Sequence, residues 1–203
     1  MLASRVYSGC ATFFLQELYS ERDYGDRDAQ FAKVAGAIEL TFPPQVVDVA
    51  VTLAELHKAT EELDLKMANN WSNLAHETPA TRYMAAWRLV GQRQLREWQL
   101  ATVLTIGREL TVLTQKRGLR LLLKMMRKPA ELAGLGDLQH FLESGFDHFG
   151  GLSKNQVAAG HFLQAIQMRE NLWIAYLFDD SNDTHKAKKN AQSSDWAFMA
   201  LGA

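Results

Sequence analysis

The sequence predicts an all-α fold, a single-domain bundle of about seven or eight helices around a long, kinked central helix. Apolar residues recur three and four positions apart along most of the chain, which is the period of one helix face. The sequence has only 4 prolines and lacks the Asn-Gly and Asp-Gly pairs that favour hairpins. A chain of 203 residues fits one domain, to which we assign residues 1–178, followed by a polar, mobile tail over 179–203.

The central helix is predicted between Thr78 and Gly118. Thr78 suits an N-cap, Pro79 the first helical position and Gly118 a C-terminal stop. Apolar residues surround the segment from Leu100 to Leu113 on nearly every side, as in a helix enclosed by others. A straight helix over the whole stretch would reach about 58 Å, whereas a compact chain of this length is roughly 40 to 45 Å across. We therefore expect a bend at Gly91 or Gly107.

The other helices are placed by apolar spacing and by proline, glycine and capping residues. Asn69 to Ser72 is predicted to be a connector, Pro129 and the pair Gly150-Gly151 should each end a helix, and Ser153 with Gln156 forms a capping box. The predicted helices cover approximately residues 3–20, 29–41, 44–68, 119–128, 137–149 and 154–178.

Composition excludes several classes of protein. A net charge of −1 favours neither nucleic acid nor membrane as a partner. Cys10 is the only cysteine, which excludes an internal disulfide and fits a reducing cytoplasm. No apolar run approaches the 18 to 20 or so residues that span a bilayer. We expect a cytoplasmic protein.

Glu109, His57 and His161 are the candidates for a ligand-binding pocket. In a continuous helix Glu109 would lie within about 20° of the core-facing stripe, but a break at Gly107 would turn it outward, and we favour the break because it avoids burying a charge. Either histidine could act as a base or ligate haem inside a pocket. A half-buried histidine with a hydrogen-bond partner is the more ordinary interpretation.

Motifs for catalysis and for metals are incomplete. The chain lacks Gly-x-Ser-x-Gly, a Walker loop and His-x-x-x-His. Asp137-x-x-His140, followed by Glu143 and Asp147 on roughly the same helical face, is a conceivable carboxylate–histidine site, but an exposed acidic helix start explains these residues better. We assign no catalytic residue, metal or cofactor.

A basic stripe is the strongest charged feature. Its members recur at helical spacing and are Lys116, Arg120, Lys124, Arg127 and Lys128. The stripe could bind anionic lipid or nucleic-acid phosphates, or it could be the solvated side of a packed helix. We favour the solvated side, because neither net charge nor aromatic interleaving supports a polyanion surface.

The segment Phe13-Phe14-Leu15-Gln16-Glu17 resembles the opening signature of a group of uncharacterised proteobacterial proteins named for a Phe-Phe-Leu-Glu-Glu motif, with Gln16 in place of the first glutamate. The segments 138–149 and 162–178 are also similar to that group. The group has no assigned activity. The resemblance implies a bacterial helical protein and transfers no catalytic residue.

The function predicted from these features is a non-enzymatic interaction or regulatory module, forming a homodimer or binding another protein through an apolar helical surface. The alternatives are a cofactor-binding protein or enzyme with a pocket near Glu109, His57 or His161, and polyanion binding through the basic stripe.

Overall fold

The computed structural model describes residues 6–17, 43–74, 78–116 and 118–178, and all regular structure in these ranges is helical. The helices are α1 (Ser8–Glu17), α2 (Pro44–Asn73), α3 (Pro79–Val90), α4 (Arg93–Leu113), α5 (Leu119–Leu132), α6 (Gly136–Ser153) and α7 (Gln156–Phe178). The all-α prediction is confirmed. None of these helices has both the length and the apolar composition that a bilayer crossing requires.

The helix predicted over 29–41 and the tail predicted over 179–203 lie outside the described residues. The assignment of residues 1–178 to one domain stays a prediction.

The central segment bends at Gly91. Gly91 has a φ of 63° and a ψ of −130°, a conformation that only glycine adopts without strain, and it separates α3 from α4. The other candidate, Gly107, lies within the continuous helix α4. A Cβ atom at Gly107 would lie 2.6 Å from Cδ2 of Leu163, so this glycine permits a close approach of α7.

The predicted start of the central segment is confirmed and its end is wrong. The backbone N–H of Thr81 donates to Oγ1 of Thr78 at 3.2 Å, which makes Thr78 the N-cap of α3. Helix α4 ends at Leu113, and Gly118, with a φ of 99°, precedes α5 as its N-cap. Thr105, Arg108 and Val112 of α4 are exposed, so this helix is less enclosed than the sequence predicts.

Three other predicted helix ends are wrong. Helix α2 continues through the predicted connector to Asn73, where side-chain amides donate to carbonyls one turn earlier, such as Asn70 to Lys66 at 2.8 Å. Helix α5 continues past Pro129 to Leu132, and α6 continues through the two glycines to Ser153.

The predicted capping box at Ser153 is also wrong. Ser153 is buried at the end of α6, where its hydroxyl donates to the carbonyl oxygen of Phe149 at 2.7 Å. The hydroxyl of Thr114 donates to the same Ser153 oxygen at 3.0 Å. Oδ1 of Asn155 accepts the backbone N–H of Ala158 at 3.0 Å, so Asn155 is the residue that caps α7.

The described residues belong to two compact units. Unit 1 comprises Met1–Glu55 and Thr102–Ile166, and unit 2 comprises Leu56–Ala101 and Gln167–Ala203. In unit 1, α6 packs against α1 and α5. The rings of Phe13 on α1 and Phe141 on α6 lie 5.5 Å apart, and Leu138 completes this core cluster. In unit 2, Leu63 and Ala86 are fully enclosed.

Candidate functional site

The three predicted pocket residues lie on three different helices. Glu109 on α4 and His161 on α7 are exposed parts of unit 1, while His57 on α2 is half-buried in unit 2. Glu109 is exposed although α4 passes straight through Gly107, so the break that the sequence favoured beside it is absent. Their role in binding a ligand stays a prediction.

A small crevice in unit 1 lies between α5 and α6. Its volume of about 10 Å³ has room for about one water molecule. Its lining residues are Arg120, Leu123, Lys124, Glu143, Phe146 and Asp147. None of the three predicted pocket residues lines this crevice, and among the described residues no group of three His, Cys, Asp or Glu could hold a metal ion.

Four of the five members of the basic stripe lie on α5 and Lys116 precedes this helix; Arg120 and Arg127 are paired with acids of α6. Arg120 forms a bidentate pair with Asp147, with N–O distances of 2.6 and 2.7 Å. Nε of Arg127 donates to Glu143 at 3.0 Å, and Nη2 of Arg127 donates to the second oxygen of the same carboxylate. Two of the three acids that the sequence offered as a carboxylate–histidine site, Glu143 and Asp147, are therefore ion-pair partners of the stripe.

These pairs change the electrostatics of the α5–α6 surface. The Arg120 guanidinium lowers the pKa of Asp147, and Arg127, helped by the side-chain amide of Gln139, lowers the pKa of Glu143. Both arginines are about half exposed, so each pair adds little to stability. The pairs mainly hold α5 against α6 in one register and neutralise two of the five positive charges.

The other three members of the basic stripe form no ion pair with an acid among the described residues, although the charge of Lys124 also lowers the pKa of the nearby Asp147. Lys116 donates to Oε1 of Gln45 at 3.4 Å. Lys124 and Lys128 are exposed and make no hydrogen bond or ion pair within the described ranges. Three positive charges of the stripe therefore remain without an ion pair, and two of them, on Lys124 and Lys128, lie one turn apart on α5.

The side of α5 that faces away from the core carries large apolar side chains. Leu121 is 63% exposed, Met125 67% and Leu132 91%. At 100° per residue these three lie within about 40° of one another, with Lys128 and Lys124 along one edge. We call these five residues the α5 binding face.

The α5 binding face was not predicted from the sequence, although its apolar residues can be read there. Leu119 and Leu123 are buried in the structure. A helical projection of 119–132 places Leu121, Met125 and Leu132 on the opposite side. This second apolar stripe is the sequence feature from which the α5 binding face could have been predicted.

Unit 2 contains an aromatic–arginine cluster that the sequence did not predict. The guanidinium of Arg96 lies 4.0 Å from the ring centroid of Trp87, whose ring is also 5.9 Å from Tyr83 and 5.8 Å from Phe178. Nε of Arg88 donates to the carbonyl oxygen of Leu177 at 3.1 Å. The cluster joins α3, α4 and the end of α7 by cation–π and aromatic contacts.

Two buried donors in the cluster lack an acceptor within the described part of the chain. These donors are Nε1 of Trp87 and Nε of Arg96. Burial lowers the pKa of Arg96, and burial also raises the pKa of the nearby Glu170 carboxyl. The ionised groups of this cluster are therefore held in surroundings that disfavour charge.

Cys10 is a buried thiol and is predicted to be unreactive in the folded protein. It is 1% exposed, its Sγ donates to the carbonyl oxygen of His148 at 3.2 Å, and burial raises its pKa from 9.0 to about 11. At pH 8 only about one thiol in a thousand would be ionised. We expect iodoacetamide at pH 8 to label the unfolded chain at least about tenfold faster than the folded chain, measured by mass spectrometry. Equal rates would contradict this.

The family of the chain is shown by comparison with family models. The model of a domain of unknown function (DUF8198) matches residues 1–184, so the chain belongs to this family. No curated protein and no solved structure is significantly similar to the chain. The family description names no activity, and the resemblance to the Phe-Phe-Leu-Glu-Glu group stays a prediction.

Proposed function

We propose that this member of the DUF8198 family is a non-enzymatic protein-interaction module and that it binds its partner through the α5 binding face. One observation carries the proposal. Three large apolar side chains, Leu121, Met125 and Leu132, are each more than 60% exposed and share one side of a single helix. Isolated exposed apolar residues are ordinary on a protein surface, but an aligned group of them is typical of a surface that another molecule covers.

The position of α5 supports a binding role because the helix is held in place before any partner arrives. Its inner side buries Leu119, Leu123 and Ala130. The amide of Gln139 on α6 donates to the carbonyl oxygen of Leu123 at 2.6 Å, and the two arginine–carboxylate pairs fix the register of α5 on α6. A surface that is already ordered loses less conformational entropy on binding.

Binding to a polyanion is the weaker explanation of the same helix. Arg120 and Arg127 are engaged by Asp147 and Glu143, whose negative charges also face the surface that a polyanion would approach. Only two unpaired lysines then accompany the apolar side chains, whereas anionic lipids are typically bound by clusters of four to eight basic residues. A protein surface needs fewer charges, because apolar contacts supply most of the affinity.

The proposal is tested by changing the apolar residues and following what the chain binds. We expect the double variant Leu121→Glu/Met125→Glu to retain at least about tenfold less partner protein than the wild type in affinity purification. The amounts retained are measured by quantitative mass spectrometry. The matched control is Leu89→Glu/Val112→Glu, which places two glutamates at exposed apolar positions of two different helices, α3 and α4. Far-UV circular dichroism establishes that all three chains are folded.

Identical sets of retained proteins for the wild type and both variants would contradict the proposal. The homodimer predicted from the sequence is examined by sedimentation of the wild type and the α5 variant. A dimer that the α5 variant abolishes would assign the α5 binding face to a second copy of the chain.

A further inference from the structure

The charges beside the apolar side chains of the α5 binding face restrict what can cover it. Lys124 and Lys128 border the apolar stripe and have no hydrogen-bond or ion-pair partner in the described ranges, while the arginines of the same helix are already paired with α6. Burying an unpaired ammonium group under a partner is costly unless the partner supplies a negative charge. The occupant should therefore carry carboxylates next to apolar groups.

The length and shape of the stripe suit one helix. Leu121 and Leu132 are separated by 11 positions, or about 17 Å along the α5 axis. Three turns of an amphipathic helix laid along α5 would present apolar residues to Leu121, Met125 and Leu132 in turn. An acid at the edge of that helix would then lie beside each lysine.

A second copy of the chain fits this face poorly. Pairing through a two-fold axis would place the α5 helices antiparallel if the axis crosses them and parallel if it runs along them, and in both cases residues near the axis would meet their own copies. Lys124 and Lys128 lie close to Met125, the middle of the apolar stripe, so the two copies would bring four ammonium groups together. Like charges in such positions oppose association.

Resting on the function proposed above, we propose that the α5 binding face binds an acidic amphipathic helix of a partner protein. Its apolar residues cover Leu121, Met125 and Leu132, and its carboxylates pair with Lys124 and Lys128. The lysines set the preference for acidic partners, and the apolar side chains supply most of the affinity.

The test uses two acetylated and amidated 18-residue helical peptides with the same leucine face. One carries glutamates along the edges of that face and the other carries lysines at the same positions. Binding to the full chain is followed through the methyl signal of Met125 by nuclear magnetic resonance. We expect the acidic peptide to bind at least about tenfold more tightly than the basic peptide, and the difference to shrink as salt is raised.

Exchange of the charges on α5 provides the decisive variant. Lys124→Glu/Lys128→Glu should reverse the preference so that the basic peptide binds more tightly. The matched control, Lys58→Glu/Lys66→Glu, changes two exposed lysines of α2 and should leave the preference as in the wild type. Both double variants make the same change in net charge, so a general electrostatic effect would appear in both.

The outcomes separate this inference from the proposed function. Equal affinity for the two peptides, or no binding of the acidic peptide, overturns the acidic-helix inference. Binding to vesicles of phosphatidylserine and phosphatidylcholine in preference to the acidic peptide also overturns it and assigns the face to lipid. Loss of partner retention in Leu121→Glu/Met125→Glu would still support the proposed function in each of these cases.

Discussion

Phe162→Ala is expected to lower the free energy of unfolding by about 3 to 5 kcal/mol, which is the usual cost of removing a phenyl ring from a packed core. Phe162 is 2% exposed on α7, and its ring stacks on that of Tyr7 at a centroid distance of 6.0 Å. The substitution reduces the apolar area that is buried on folding. It also leaves a cavity that the surrounding close-packed side chains fill only in part. Its effect should fall on unit 1, which contains both residues.

The measurement is urea unfolding followed by circular dichroism, with Val157→Ala as the control on the same helix. Val157 is 67% exposed, so its truncation should change the free energy of unfolding by less than about 0.5 kcal/mol. A loss below about 1.5 kcal/mol for Phe162→Ala would show that the ring is not enclosed as described.

Alanine substitutions at Gly91 and Gly160 should change the free energy of unfolding in opposite directions. Gly91→Ala is expected to destabilise the fold by about 1 to 3 kcal/mol, because a Cβ atom is strained at a φ of 63° and a ψ of −130°. Gly160→Ala should stabilise it by about 0.5 to 1 kcal/mol, because Gly160 lies within α7 and a Cβ atom there would meet nothing within 4 Å.

Thermal melts decide the comparison. For a chain of this size each kcal/mol moves the midpoint by about 2 to 4 °C, so Gly91→Ala should melt earlier and Gly160→Ala slightly later than the wild type. Two shifts of the same sign would contradict the assignment of the bend to Gly91.

The sequence could not show which of the two candidate glycines, Gly91 or Gly107, bends the central segment. Gly91 and Gly107 carry the same local signal, a glycine within an apolar helical pattern. Only the position of Leu163, 56 positions further along the chain, reveals that Gly107 is needed for close helix packing. Glu109 is exposed although α4 has no break beside it, which the sequence did not predict.

The positions of the basic stripe could be predicted from the sequence, but which of its residues are paired with acids could not. Helical spacing places Arg120 and Lys124 near each other on one side of α5 whatever surrounds them. Which of them is neutralised depends on the register between α5 and α6, which places Asp147 against Arg120 and leaves Lys124 without an ion pair among the described residues. The exposure of Leu121, Met125 and Leu132 likewise depends on which side of α5 packs against α6.

The all-α class and the start of α3 at Thr78 and Pro79 could be predicted from the sequence. These features depend on residues a few positions apart, whose spacing and capping chemistry can be seen in the chain. The folded structure was needed to show that α5 continues past Pro129 and α6 past its paired glycines, which arginines of the basic stripe are paired, and which side of α5 is exposed. Burial and charge pairing are set by helices that meet in space, and the energy of those contacts overrides the weak local preferences that end a helix.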